Sequence, residues 1–143
     1  MNKEEIIAKV KDHPTGKVKI AFCDIDGILR GKYISTAKFL SAAENGLGFC
    51  NVVLGWDSND VAYTNTGYTG WHTGYPDAPA RIDLSTYRSI PWEKDLPFFL
   101  GDFVNAQNER AAGCPRQLLM LIKGSIQNPM WVKIKLGIDI NSD

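Results

Sequence analysis

Asp26-Gly27 restricts this chain more than any other dipeptide in it. It separates Val18-Lys19-Ile20-Ala21-Phe22, which alternates and then turns fully apolar, from a second strand-like run, Ile28 to Ile34. Gly reaches positive φ without penalty and Asp hydrogen-bonds its own turn, so the pair marks a tight hairpin. Strands joined this closely are antiparallel, because a parallel pair needs a crossover of about a dozen residues or more. The first run is expected to be a central strand, and Gly31-Lys32 a bulge in its partner.

The remaining segments extend this pattern. A helix is expected over Glu4 to Lys11, stopped by His13-Pro14-Thr15-Gly16. Ser35 or Thr36 caps a second over Ala37 to Glu44, ended by Asn45-Gly46. Phe49 to Trp56 is an apolar run, followed by the polar turn Asp57-Ser58-Asn59-Asp60 and a short strand, Val61-Ala62-Tyr63. Thr64 to Asp77 is a long loop rich in Gly, Thr and aromatic residues. Arg81 to Leu84 and Ser89 to Trp92 read as short edge segments, since Pro91 cannot donate to a ladder. Pro97 to Val104 reads as a strand, Cys114 to about Ile126 as a helix with Pro in its first turn, and Trp131 to Ile140 as an alternating strand. Roughly six short strands and two or three helices without a βαβ repeat point to an α+β fold.

A chain of 143 residues suits one domain. Its 16 basic and 16 acidic side chains cancel, which argues against nucleic-acid binding, since phosphate contacts need a basic surplus. Zero net charge also leaves nothing electrostatic to keep copies apart. No apolar run is long enough for a membrane span, and Met1 to Val10 is charged where a secretory leader would be apolar. Cys23, Cys50 and Cys114 are odd in number and widely spaced, so a disulfide framework and a zinc site are not expected. Free thiols in a cytoplasmic chain are the expectation.

Few residues point to chemistry on their own. Asp24-Ile25-Asp26-Gly27 at the end of an apolar strand is similar to the first motif of haloacid-dehalogenase-like phosphatases, a nucleophilic Asp followed by an acid–base Asp. Ile28 stands where that family has Thr, and another strand-like run follows directly. The alternative is a hairpin loop in which both carboxylates bond local amides. Asp57, Asn59 and Asp60 form an acidic turn, but Ala62 and Tyr63 stand where a calcium loop would need its Gly, and a solvated turn is the preferred reading. His13 is expected at the surface and His72 as a packed ring.

A longer pattern is more informative. Val18 to Gly27, then Arg30-Gly31-Lys32-Tyr33-Ile34-Ser35, resembles the opening hairpin of the glutamine synthetase superfamily. Gly55-Trp56-Asp57, Tyr75-Pro76-Asp77, Ala80 to Arg88, Ile90-Pro91-Trp92, Asp102 and Cys114 to Leu119 follow in the family's order, covering about Lys17 to Leu121. Gly55-Trp56-Asp57 and Trp71 to Asp77 look closer to the γ-glutamyl-amine ligase branch than to classical bacterial members. The resemblance implies an N-terminal β-grasp domain: a β-grasp-like mixed sheet with one or two packed helices. It implies one wall of a neighbouring subunit's active site in a ring-shaped enzyme. There ATP activates the glutamate side-chain carboxylate as a γ-glutamyl phosphate that an amine then attacks, with divalent cations neutralising the transferring phosphoryl group.

On this resemblance residues 1–16 are an N-terminal helix and turn, 17–110 the β-grasp domain, and 111–143 a helix and strand like the start of a catalytic domain. Asn51, Trp56 and Asp57 are the candidate wall residues, with no catalytic or metal residue among them. Where classical members carry a loop Asp, this chain has Cys50-Asn51-Val52-Val53. Lys135 to Asn141 resembles the Gly-x-Glu-x-Glu motif with both ligands weakened, as Asp139 and Asn141. The chain is therefore expected to be inactive alone, with ATP and Mg2+ or Mn2+ needed only by the complete enzyme. Its expected partner is a second copy or a glutamine-synthetase-type catalytic domain, met through Trp56, Tyr63, Tyr68, Trp71 and Tyr75. An interaction or regulatory module built on the same domain is the alternative.

Overall fold

The computed structural model describes residues 1–111 and 113–126. The elements run α1 (Lys3–Lys11), β1 (Lys17–Cys23), β2 (Leu29–Ser35), α2 (Thr36–Asn45), β3 (Leu47–Cys50), β4 (Asp77–Ile90), β5 (Leu96–Phe103) and α3 (Pro115–Ile126), with single 3-10 turns at Asn51–Leu54 and Pro91–Glu93. The five strands form one mixed sheet in the order β2-β1-β5-β4-β3. β1 and β5 run parallel at its centre and every other pair is antiparallel. This is the α+β, β-grasp-like fold expected.

Local signals set the ends of the helices. Asn2 and Glu5 form a reciprocal capping box at α1: the Asn2 side chain accepts from the Glu5 amide at 2.8 Å and the Glu5 carboxylate accepts from the Asn2 amide at 3.0 Å. Ser35 Oγ accepts from the Lys38 amide at 3.1 Å and starts α2, and Gly46 at φ 74° stops it. Both helices lay their apolar stripes on one face of the sheet. Ile6, Val10, Phe39 and Ala42 meet Val18, Ile20, Phe22, Ile82, Phe99 and Phe103 there, all buried. Phe39 stacks on Phe99 at 4.8 Å between centroids. Phe22 lies where a side chain at 101 would be, since a Cβ on Gly101 would come within 2.3 Å of its ring. The aromatic core therefore requires glycine at that position of β5.

Several expectations change. β2 pairs with β1 in unbroken register from Lys17↔Ser35 to Cys23↔Leu29, so Gly31-Lys32 is not a bulge. Gly31 is needed instead because a Cβ there would meet the Ile20 carbonyl at 2.4 Å. The two short edge segments belong to one long strand, β4, whose irregularity falls between Asp83 and Arg88. Pro91 begins the 3-10 turn that ends it, where a missing N–H costs nothing. Val61-Ala62-Tyr63 is reduced to an isolated bridge, Trp56↔Ala62. The strand expected at Trp131–Ile140 and the Lys135–Asn141 motif lie outside the described residues.

α3 is held to β4 and β5 chiefly by charge. Arg116 grips Asp102 and Asp83, both at 2.5 Å, and Gln117 Nε2 donates to the Phe103 carbonyl at 3.3 Å. Burial pushes the Asp83 carboxyl up, but hydrogen bonds from Ser85 and Arg116 outweigh it and hold the group below its ordinary value. A carboxyl depressed by folding adds stability above its unfolded pKa and loses it as pH falls through the lowered native one. Melting temperatures taken from about pH 7 to about pH 3, a range that brackets the ordinary Asp value, should fall less steeply for Asp83→Asn than for the parent. Parallel curves would show that Asp83 contributes nothing.

Gly27 sits at φ 81° with open space around a Cβ. A substitution there meets backbone strain and no steric clash, so Gly27→Val should cost about 1–3 kcal/mol. An unchanged melting temperature would contradict the left-handed turn.

Candidate functional site

The β1–β2 connection, the 3-10 turn at Asn51–Leu54 and the loop beyond it meet at one end of the sheet. Asp24 is the anchor, with no exposed surface. Its Oδ1 accepts from the Asp26 and Ile28 amides at 3.0 and 2.8 Å, and its Oδ2 from Arg30 Nε at 2.8 Å. Three donors on one carboxylate offset its desolvation. They also engage both oxygens inside the fold, so Asp24 cannot serve as the nucleophile of a phosphatase; the hairpin-loop alternative holds for Asp24, whereas the exposed Asp26 carboxylate bonds no local amide among the described residues.

Arg30 carries the anchor outward. Its Nη1 meets Asp60 Oδ1 at 2.5 Å, and its Nη2 donates to the Asp57 and Ser58 carbonyls at 3.3 and 3.4 Å. Its guanidinium lies over the Trp56 ring, 5.2 Å from the centroid. One side chain thus joins the hairpin loop, the 57–60 turn and the indole. Ile25 N donates to the Val53 carbonyl at 3.3 Å and adds a second link.

The three candidate wall residues lie along this segment, and each is held differently. Asn51 is buried; its Oδ1 accepts from Thr69 Oγ1 at 2.7 Å and its amide donates to the Pro76 carbonyl at 3.1 Å. Trp56 is half-buried, and its indole N–H is buried without an acceptor among the described residues. Asp57 Oδ1 accepts from the Asn59 and Val61 amides at 2.8 and 3.0 Å, making a turn rather than a calcium loop. Among the described residues no three His, Cys, Asp or Glu side chains converge as metal ligands.

Two contributors escaped the sequence reading. Thr69 is fully buried and orients Asn51, and a Cβ on Gly55 would strike its methyl at 2.5 Å. Arg30 belongs to the quoted Arg-Gly-Lys run, but its reach to Asp57, Ser58 and Asp60 crosses about thirty residues, which no local pattern encodes. Trp71 is 83% exposed and Tyr68 53%, whereas Trp56, Tyr63 and Tyr75 are half-buried, so the loop covers part of its own aromatic surface. His72 is exposed rather than packed.

Similarity to known proteins runs through this region. No protein-family model matches the chain. It is 55% identical over 120 residues to type-1 glutamine synthetase 2 of Dictyostelium discoideum, a match covering 83% of this chain and 23% of that protein. It is 36% identical over 123 residues to a glutamate–isopropylamine ligase of a Pseudomonas species, covering 82% of this chain and 27% of the ligase. The chain therefore spans about a quarter of the length of these curated relatives. Among solved structures, the glutamine synthetase of Plasmodium falciparum shares the fold with a TM-score of 0.62 at 16% identity, covering 90% of this chain and 23% of that one.

If Arg30 is the clamp, Arg30→Met should lower the melting temperature and speed hydrogen exchange about tenfold at the Asp26, Ile28, Asn59 and Val61 amides. Lys32→Met, two residues along the same strand, should leave those amides alone. Equal exchange in both variants would show the loops to be held by something else.

Proposed function

Since the chain belongs to the glutamine synthetase family, we propose that it corresponds to the N-terminal part of such an enzyme and supplies one wall of an active site shared with a neighbouring subunit. The reaction would be the ATP-dependent joining of an amine or ammonia to glutamate, and this chain would not catalyse it alone. The observation that supports the reading is the 55% identity to a glutamine synthetase over a stretch that contains Asn51, Trp56 and Asp57.

The wall residues offer shape and polarity rather than a reactive group. Thr69 fixes the Asn51 amide and leaves its Nδ2 without an acceptor among the described residues, a donor free for a substrate. Arg30 holds the Trp56 ring at the edge of the loop, where it would exclude water from an incoming amine. Asp57 adds a carboxylate beside them, and only its Oδ1 is engaged in the turn. ATP and a divalent cation would supply the activation in the complete enzyme; among the described residues no three His, Cys, Asp or Glu side chains come together to hold such a cation. Exposed Tyr68 and Trp71 suit contact with a catalytic domain or a second copy, and a cytoplasmic setting fits such chemistry. No helix among the described residues is long and apolar enough to cross a membrane.

Two assays test this. The purified chain with ATP, glutamate and an amine should give no γ-glutamyl product; ATP-dependent product would overturn its dependence on a partner. A hybrid in which this chain replaces the matching 120 residues of the Dictyostelium enzyme should be active, and Trp56→Ala in that hybrid should raise KM for the amine about tenfold. An active hybrid indifferent to Trp56→Ala would remove the wall role.

A further inference from the structure

Beyond Ala80, β4 has a strand on one side only, because β3 pairs with no more than Asp77–Ala80. A cleft of about 630 Å³ lies along the uncovered stretch, lined by residues of β4 and β5, by Lys3 at the start of α1, by Arg110 and by Gln117 of α3. That volume suits a small molecule. None of its lining residues belongs to the 51–75 segment.

Two independent features mark it as a ligand site. The first is charge. Lys3, Arg81 and Arg110 all line the cleft, all are exposed, and none makes an ion pair or side-chain hydrogen bond among the described residues. The two acids beside them, Asp83 and Asp102, are both taken by Arg116. Cations therefore outnumber anions, and the surplus cations are the unpaired ones. The second feature is Gln117, only 5% exposed. Its Nε2 donates to the Phe103 carbonyl, which fixes the amide's orientation, and its Oε1 is buried with no donor among the described residues. A buried acceptor without a donor is costly, and a ligand that supplied one would be favoured.

The two features select the ligand's chemistry. Three separated cations favour several carboxylates over one. A neutral hydroxyl suits Gln117 as donor better than an ammonium, because a further positive charge would be repelled by the three cations already there. We propose that this cleft binds a small hydroxy-polycarboxylate, its carboxylates on Lys3, Arg81 and Arg110 and its hydroxyl donating to Gln117 Oε1.

Citrate is the probe, and tricarballylate, the same tricarboxylate without the hydroxyl, is its control. Titration calorimetry of the full chain at fixed ionic strength should give saturable citrate binding with a Kd on the order of 1 mM or tighter, and tricarballylate about tenfold weaker. Arg81→Ala combined with Arg110→Ala should weaken citrate at least about tenfold. Both side chains are exposed and unpaired, so circular dichroism of this double variant should match the parent. Equal affinity for the two acids, no saturation by citrate, or undiminished binding by a folded double variant would each overturn the proposal.

Discussion

The buried contact between Asp24 and Arg30 organises the end of the molecule on which the candidate site stands. A carboxylate with no exposed surface cannot stay ionised in a protein interior unless donors replace the water it has lost. Here the donors are two amides of its own loop and one guanidinium. The amides shape the turn that returns the chain into β2. The guanidinium then has nitrogens left over, and they reach the 57–60 turn and the face of Trp56. A single desolvated charge thus sets the hairpin loop, fixes the direction of Arg30 and places the indole.

Much of this was legible in the sequence, and the parts that were not share a cause. Asp26-Gly27, Ser35, Gly46 and Pro115 act within a few residues of themselves, so the hairpin and the bounds of α2 and α3 follow from local rules. The errors fall where tertiary contact overrides those rules. Gly31 looks like a bulge but is a close approach to the Ile20 carbonyl. Pro91 looks like the mark of an isolated edge segment but closes a long strand. Val61 to Tyr63 has strand composition but only one bridge partner, because the turn held by Asp57 carries the chain away from the sheet. At the site, resemblance named Asn51, Trp56 and Asp57, yet the residues that hold them, Thr69 and Arg30, act across long sequence separations.

The sheet's aromatic core reaches the start of these loops. β1 and β5 run parallel at the centre and share the ring contact of Phe22 with Phe103. Gly101 leaves room for the Phe22 ring on the face of β5, and Phe22 lies 4.1 Å from Phe49 between centroids. Phe49 is in β3, immediately before the turn that carries Asn51. The packing that sets the sheet's centre is therefore continuous with the backbone of the site, and a cavity opened at Phe22 would be felt at Asn51.

Two arginines each hold two acids, Arg30 with Asp24 and Asp60, and Arg116 with Asp83 and Asp102. The two clusters are not equivalent. The acids of the second retain some exposure, so losing one partner leaves charges that water can still reach. Asp24 has no exposure, so removing Arg30 strands a charge that water cannot reach, and such a loss exceeds anything the intact pair contributes. Positions 24 and 30 therefore form one unit: a change at Arg30 costs least with a neutral residue at 24. That neutral residue would in turn have to hold the Asp26 and Ile28 amides. Asn keeps an acceptor oxygen for them and drops the charge, so Asp24→Asn with a neutral side chain at 30 keeps the hairpin loop but frees the 57–60 turn and the indole. The turn of the hairpin and the placement of Trp56 and the 57–60 turn are thus separable, the first resting on Asp24 oxygen chemistry and the second on Arg30, while Asn51 is held apart from both by Thr69.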